Sequence, residues 1–431
     1  MKKKILFNGL GNRGWIGGLY YVKNIIFSCL QSAAIMENYE LVVLIDPEHA
    51  DIFDCFCGKD GAYMKDGEGT YRKKAASESQ TEAGQSGGES RKKAGRGVGE
   101  GGVRVIVYDA DSKWKLALYE MNLIWLHGVA YCYALELNKI GRLFRKRGIY
   151  WIPDFQHRTL PEFFQPAELE RKIENDQNMA MSGNPMVLSS QDAKNDLDRF
   201  YPKHTCRVSV VHFVSYIEPE LRRVTPELMR HVRETFGLAK KYIYLPNQFW
   251  KHKNHIVAVR AIELLRKRNE LLNYDFVFTG NLEDYRNPDY IGQLKAIMEA
   301  AEVKDCIRLL GFVERTEQLC IMKQAEFIVQ PSLCEGWGTV LEDAKVLDKT
   351  VLLSDIPVHR EQKNEKCVLF DPHNPEELAD LIVAQSRAER DEDMERGIAR
   401  MYREAREYAR SLEKVFGVSH RDKTDGNEEE R

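Results

Sequence analysis

Gln330-Pro331-Ser332-Leu333-Cys334-Glu335-Gly336-Trp337-Gly338-Thr339-Val340-Leu341-Glu342-Asp343-Ala344 runs from an apolar strand through a turn into a helical pattern. Gly336 and Gly338 free the backbone where the helix starts, so the amides of about Gly338 to Val340 can hold an anion such as a diphosphate. Glu335 stands before that turn, and Glu342 and Asp343 lie about two helical turns onward. Acids at both ends of a phosphate cradle suit a ligand that also carries hydroxyls, Glu335 taking those of a sugar and the second acid those of a ribose. The plainer reading, in which Glu335 caps the helix and Glu342 is solvated, stays open on spacing alone. A second group, Asn247-Gln248-Phe249-Trp250-Lys251-His252-Lys253-Asn254-His255, follows another apolar run. Lysines at the carboxyl end of a strand can neutralise a diphosphate leaving group, although a surface lysine cluster is the alternative.

Two histidines also fall at expected strand ends. His127 closes Leu123-Ile124-Trp125-Leu126, and His157 follows Trp151-Ile152-Pro153-Asp154-Phe155-Gln156. A single histidine is more often structural, but two at adjacent strand ends point to one cleft, and Asp154, Gln156 and Arg158 can orient His157 or bind substrate hydroxyls. Near the start, Gly9-Leu10-Gly11-Asn12-Arg13-Gly14 satisfies G-x-G-x-x-G after a strand. A dinucleotide site wants an acid about 20 residues onward. The acid at the next strand end, Asp46, lies 32 positions past Gly14, and the loop runs on through Trp15 to Gly17-Gly18. The fingerprint is therefore weak evidence for NAD, while the backbone access it gives to an anion stands.

The elements that must position these residues alternate between strands and helices. Lys4–Asn8, Leu41–Asp46, Val103–Tyr108, Leu123–His127, Ile149–Pro153, Val187–Ser190 and Cys206–Phe213 read as strands of a first parallel sheet. Charged helical sequence with Pro219 and Pro226 interrupts the pattern at 215–240. Tyr242–Pro246, Asp275–Thr279, Ile307–Leu309, Phe327–Gln330 and Thr350–Leu353 then repeat it. Two α/β halves with a ligand cleft between them follow. The expected domains are 1–215 and 235–395, with a helix at 396–418 that packs back on the first and a loose tail at 419–431. Residues 71–102 hold eight of the 30 glycines and almost nothing large and apolar. They read as a disordered insertion.

Composition removes several classes. The 431 residues carry 63 Lys+Arg against 66 Asp+Glu, a net charge of -3, which argues against a dedicated nucleic-acid binder. A 43% hydrophobic content with no apolar run near 20 residues fits a soluble chain rather than a membrane-spanning one. The basic start lacks the apolar core of a secretion signal. Nine cysteines, odd in number and without CxxC spacing, argue against disulfides or structural zinc and favour the cytoplasm. Arg142-Leu143-Phe144-Arg145-Lys146-Arg147 could rest on anionic lipid at the inner membrane face, with a solvated helix end as the alternative.

Taken together these residues resemble the group 1 (family 4) glycosyltransferases of GT-B fold, over nearly the whole chain outside 71–102. The most specific piece is EGWGTVLEDAK (Glu335 to Lys345), similar to that family's E-G-F-G-x-x-x-x-E-A signature. VLSSQDAKNDLDRFY (Val187 to Tyr201), DIPVHRE (Asp355 to Glu361) and Leu369-Phe370-Asp371-Pro372 resemble its further motifs. The resemblance implies an α/β chain of GT-B architecture, two Rossmann-like doubly wound domains facing across a cleft. It implies a retaining transferase that moves a sugar from a UDP- or GDP-sugar type donor to a glycan, lipid-linked or small-molecule acceptor, in polysaccharide or glycoconjugate biosynthesis, without cofactor or metal. Glu335 then serves the donor sugar, Asp343 or its neighbour Glu342 the ribose, and Lys253 the diphosphate. Gln248 replaces the family's arginine, with Lys251 as substitute. Gly17 and Gly18 match the glycine loop near the donor phosphates, and Gly336, Trp337, Gly338 and Thr339 complete the donor site. His157 matches the histidine near the reacting carbon. Asn12, Arg13, His127, Asp154, Gln156 and Arg158 fall on the acceptor side. The family's usual mechanism is front-face attack with a donor phosphate oxygen accepting the proton. Two readings compete: an NAD(P)-dependent oxidoreductase using Gly9 to Gly14, and a non-catalytic nucleotide-sugar-binding protein, suggested by Gln248 and Asp343.

Overall fold

A computed structural model describes residues 2–9, 16–56, 63–65, 70–73, 103–108, 128–133 and 147–418. The chain divides into two compact units, one of Met1–Trp151, Ser182–Val187 and Ala405–Arg431, the other of Ile152–Met181 and Leu188–Glu404.

Unit 1 is built on strands β1 (Lys3–Asn8), β2 (Tyr39–Ile45), β3 (Tyr63–Lys65), β4 (Thr70–Lys73), β5 (Val103–Tyr108), β6 (Val129–Tyr133), β7 (Gly148–Ile152) and β8 (Pro185–Leu188), in the order β3-β4-β5-β2-β1-β6-β7-β8. β2 pairs parallel with β1 and β5, β1 pairs parallel with β6, and β3 and β4 add an antiparallel edge. Continuous apolar stretches such as Ile5-Leu6-Phe7 and Leu41 to Ile45 are buried, as strands covered on both faces require. Gly17 and Gly18 open the helix Ile16–Leu30, whose Tyr21 ring stacks 3.6 Å from Trp151. The last helix, Met394–Val415, delivers Glu413 to Ser32 (2.6 Å) and is followed by Phe416, whose carbonyl accepts from the Tyr39 hydroxyl at 3.0 Å.

The structure departs from the sequence expectation at several places. Val129–Tyr133 forms a strand that the reading passed over. Tyr71–Lys73, the start of the expected disordered insertion, belongs to β4. The remainder of 71–102, the Leu123–His127 strand, Arg142 to Lys146 and the 419–431 tail lie outside the described residues.

Unit 2 contains β9 (Arg207–Val210) and a second, all-parallel sheet of β10 (Lys241–Pro246), β11 (Tyr274–Thr279), β12 (Ile307–Gly311), β13 (Ile328–Gln330), β14 (Val351–Ser354) and β15 (Cys367–Phe370). Its order is β12-β11-β10-β13-β14-β15. The chain builds outward from β10 in one direction, then returns to β10's other side and builds the opposite way. The carboxyl ends of β10 and β13 therefore form a topological switch point, where open α/β sheets bind ligands. Ile243, Leu245, Phe276, Phe278, Val329 and Leu352 of the strands pack with Val257, Ile262, Leu294, Leu378 and Ile382 of the helices. This core fixes the strand ends rigidly.

The expected boundary at 215 differs from the compact units. Residues 152–181 and 188–215 fall in one compact unit with the second sheet. Ser215 bonds Asp343, the Trp337 indole donates to the Phe213 carbonyl, and the backbone N–H of Gln191 donates to Glu361. The composition shift at 215–240 marks a connector, not the packing boundary. Among the described residues no helix is long and apolar enough to cross a membrane.

Candidate functional site at the switch point

Polar side chains collect where the second sheet changes direction. Asn247, just past β10, and Gln330, the last residue of β13, exchange two amide hydrogen bonds of 2.9 and 3.0 Å, both side chains buried. Two buried amides satisfied by each other lock the two strand ends together. Beyond Asn247, a single tight turn, Lys251–Lys253, ends at Asn254 in the left-handed region (φ 55°, ψ 40°). The Asn254 amide donates to the carbonyls of Pro331 (3.1 Å) and Pro372 (2.8 Å), and the Leu333 N–H donates to the His252 carbonyl at 2.8 Å. The lysine turn is thereby pinned to the loop after β13.

That loop carries Glu335. Its Oε1 lies 2.6 Å from the Lys253 ammonium and accepts from Ser332 Oγ at 2.7 Å and Gln330 Nε2 at 3.2 Å. Burial alone would raise the Glu335 carboxyl; Lys253, with His252 and His359 beside it, outweighs burial and holds the group at about 2. Beneath the pair, buried His359 shares its Nδ1 with Ser354, and burial pushes its imidazole down to about 4. At neutral pH the site thus holds one ammonium and one carboxylate, with side chains 17% and 10% exposed, over a neutral floor. The ammonium can meet phosphate oxygens, and the carboxylate, an acceptor only, can take sugar hydroxyls.

Gly336 comes next, and its position explains its size. A Cβ there would sit 2.6 Å from the Pro153 carbonyl oxygen and 2.8 Å from its carbon, both backbone atoms. Gly336→Ala is therefore expected to destabilise unit 2 by about 1–3 kcal/mol, the usual cost of overpacking. Thermal unfolding measures it; an unchanged Tm would mean the close approach of 153 and 336 is absent. Trp337 is buried, its indole face stacked 4.1 Å from His212, which bonds Glu361 at 2.7 Å.

The helix Thr339–Val346 starts at Gly338. The Gly338 N–H is already taken by Gln362 Oε1 (2.9 Å), and Gln362 Nε2 returns a bond to the Gly338 carbonyl (2.9 Å). The anion-facing amides are thus those of the half-exposed Thr339 and Val340, since the first helical N–H groups lack intrahelical partners. The expected ribose acids are both buried and bonded to other side chains. Glu342 and Asp343 are each 1% exposed. Glu342 is held by Lys345 (3.1 Å) and Gln362 (2.9 Å). Asp343 is gripped by both Arg315 terminal nitrogens (2.6 Å each) and by Ser215 (2.5 Å). At helical spacing both acids turn into the packed body of unit 2.

The remaining expected residues divide. His157 is buried on the short helix Gln156–Thr159, its Nε2 3.1 Å from Asp176, whose carboxyl burial raises. Thr159 Oγ1 lies 4.0 Å from Cys334 Sγ, so this turn borders the Glu335 loop. Asp154 Oδ1 accepts the Gln156 N–H at 3.0 Å, and Arg158 stacks on Phe200 at 4.8 Å; both are structurally committed. Lys251 stands 4.9 Å over the Phe163 ring instead of beside Lys253 and Glu335, and Gln248 is half-buried just before the lysine turn. Asn12, Arg13 and His127 lie outside the described residues. Asp46, the acid available to a dinucleotide site, caps its own turn by accepting the His49 N–H at 3.1 Å and meeting its Nδ1 at 2.9 Å. Asn247, Ser332, Arg315, Gln362 and Asp176 were not anticipated. Asn247 and Ser332 had a legible signal, polar residues directly after apolar strands, whereas Arg315 and Gln362 act across 28 and 24 residues.

Residues 231–409 match the family model described as glycosyl transferases group 1. That match lies mostly within unit 2. The O-antigen biosynthesis glycosyltransferase WclY of Escherichia coli is 33% identical over 124 residues, 28% of this chain and 32% of that protein. The D-inositol 3-phosphate glycosyltransferase of Paenarthrobacter aurescens is 22% identical over 264 residues, 60% of this chain and 61% of that one. The chain thus spans about a third of the first relative's length and under two thirds of the second's. Over the full fold it resembles the crystal structure of Anabaena HepE in complex with UDP and glucose, with a TM-score of 0.57, 13% identity and coverage of 96% and 95% of the two chains. The fold is α/β, of the GT-B glycosyltransferase type. Within the matched residues, the EGWG segment and the lysine turn are the parts that the switch point brings together.

Proposed function

We propose that the protein is a retaining glycosyltransferase that moves a sugar from a nucleoside-diphosphate donor to an acceptor hydroxyl, in polysaccharide or glycoconjugate biosynthesis. The observation that carries this is the Lys253–Glu335 pair, 2.6 Å apart at the switch point within the matched residues. The names of the relatives support it: one is an O-antigen biosynthesis glycosyltransferase, and HepE was crystallised with UDP and glucose.

Each residue then has a task set by its chemistry. Lys253 meets the diphosphate and stabilises the charge that builds on it as the glycosidic bond breaks. The amides of Thr339 and Val340 add the partial positive charge of a helix start. Glu335, held well below the ordinary carboxylate range by Lys253 acting against burial, is an acceptor suited to sugar hydroxyls. The acceptor proton passes to a donor phosphate oxygen on the attacked face, which retains the anomeric configuration. The reading calls for no resident cofactor or metal, since lysine and amides carry the leaving charge. We place the reaction in the cytoplasm, with the Arg142–Arg147 run as a contact to the inner membrane face.

One feature favours a second reading, nucleotide-sugar binding without transfer: Gln248 stands where the resemblance expects an arginine, which removes one charge from the diphosphate side. Calorimetric titration with UDP, GDP and NAD, followed by an assay for nucleoside diphosphate release, separates the possibilities. A nucleoside diphosphate is expected to bind and NAD not to. Binding of NAD alone would overturn the proposal, and tight donor binding with no turnover would favour the second reading.

A further inference from the structure

The loop after β11 ties together two parts of the site that the chain keeps far apart. It begins at Gly280 (φ +140°), where a Cβ would strike the Asn247 carbonyl, so the loop leaves directly over the end of β10. Buried Asp284 then accepts three backbone N–H groups, from Arg286 (3.0 Å), Asn287 (3.3 Å) and Lys251 (3.1 Å). The third belongs to the lysine turn, which is thereby fastened to this loop.

From the same knot the Arg286 guanidinium reaches the opposite way. It lies 4.4 Å over Phe164 and 5.1 Å over Trp250. Its Nε is 3.4 Å from Glu168 Oε1, and Nη1 donates to Gln156 Oε1 at 3.4 Å. The Arg286 carbonyl accepts from Gln165 at 3.1 Å, and the Asn287 amide donates to the Phe163 carbonyl at 3.3 Å. Gln156 begins the helix that carries His157, and Glu168 lies in the first turn of the helix Pro166–Ala180 that carries its partner Asp176.

We propose that Arg286 is a positioning residue of the transfer reaction, holding the lysine turn at one fixed spacing from the His157 turn, so that diphosphate and sugar carbon are presented together. This rests on the glycosyltransferase reading above. Arginine fits the task as lysine does not, because a flat guanidinium stacks on rings while its fork serves two acceptors. Lys253 and Glu335 have separate supports in Asn254, Ser332 and Gln330. Loss of Arg286 should therefore leave Lys253 and Glu335 in place while loosening the His157 turn. Misplacement of about 1 Å at a reacting centre can cost about 10²-fold in rate.

Arg286→Met and Arg286→Lys, in the full chain, test this by three measurements: turnover of UDP-glucose, calorimetric affinity for UDP, and amide hydrogen exchange. For Arg286→Met, kcat is expected to fall about 10- to 100-fold, with the UDP dissociation constant changed less than about threefold. Arg286→Lys should move the same way. Amides of Gln156 to Arg158 and of Lys251 should exchange faster in both variants. Unchanged turnover, or UDP affinity that falls in step with kcat, would overturn the proposal. If the wild type neither binds UDP nor turns over UDP-glucose, the glycosyltransferase reading fails instead, and hydrogen exchange still decides the coupling. Faster exchange at both segments upholds it, and unchanged exchange refutes it.

Discussion

Lys253→Ala is expected to lower kcat by about 10²–10³, the typical cost of removing one preorganised charge partner from a developing anion. The ammonium stands 2.6 Å from Glu335 in a site only partly open to water, so no solvent cation can take its place with the same geometry. The same substitution should change the acid stability of the fold, and the sign follows from Glu335. Its carboxyl is held at about 2 against an ordinary 4.5, chiefly by Lys253 acting against burial. A depressed carboxyl stabilises the folded state above the unfolded value, and this contribution fades as pH falls from about 4.5 toward 2. Without Lys253, burial meets less opposition and the carboxyl rises, so acid unfolding should begin at higher pH. A variant with full turnover and an unmoved acid midpoint would show that the two residues neither pair nor act. Glu335→Gln separates the halves of the argument: it frees the ammonium, so nucleoside diphosphate affinity should hold or improve while sugar turnover falls.

How far the sequence led can be judged from this pair. The strands that carry it, Tyr242–Pro246 and Phe327–Gln330, were legible because buried parallel strands are short unbroken apolar runs. Lys253 and Glu335 were both placed at strand ends, but their direct contact was not anticipated, because it depends on β13 lying beside β10 although β11 and β12 intervene in the chain. Strand order is a property of packing, and periodicity does not encode it. The same limit explains Asp343. Counting along the helix puts it two turns from the glycines, yet which face turns inward depends on Ser215 and Arg315, each distant in sequence. Leu369 to Pro372 was noted as a motif, while the edge strand Cys367–Phe370 that overlaps it was not, since four residues offer too little alternation to read. Residues 152–181 read as continuations of the first half because the strand Ile149–Pro153 leads into them. Their burial against the second sheet appears only once Gly336 is seen against Pro153.

Asp343 yields the largest effect expected on stability, and it also tests the burial described above. Its carboxylate is 1% exposed, doubly bonded to Arg315 and bonded to Ser215. Removing one partner of such a pair leaves the other charge buried without compensation, at a cost of about 3–5 kcal/mol, whereas replacing both by apolar residues of similar volume is often nearly neutral. Asp343→Leu should therefore lower Tm by about 10 °C, taking about 2–4 °C per kcal/mol for a unit of this size. Arg315→Met combined with Asp343→Leu should recover most of that loss. Asp343→Asn keeps the shape but turns one acceptor toward a guanidinium as a donor, so it too should unfold early. A ribose-binding carboxylate would behave in the opposite way. It would leave Tm nearly unchanged, weaken nucleoside diphosphate binding, and gain nothing from a change at Arg315. Thermal unfolding of the three variants beside UDP titration thus decides between a carboxylate that holds the helix in register and one that reads the donor. The geometry favours the first, because no rotamer change at a 1% exposed side chain can present it to a ligand without abandoning three hydrogen bonds.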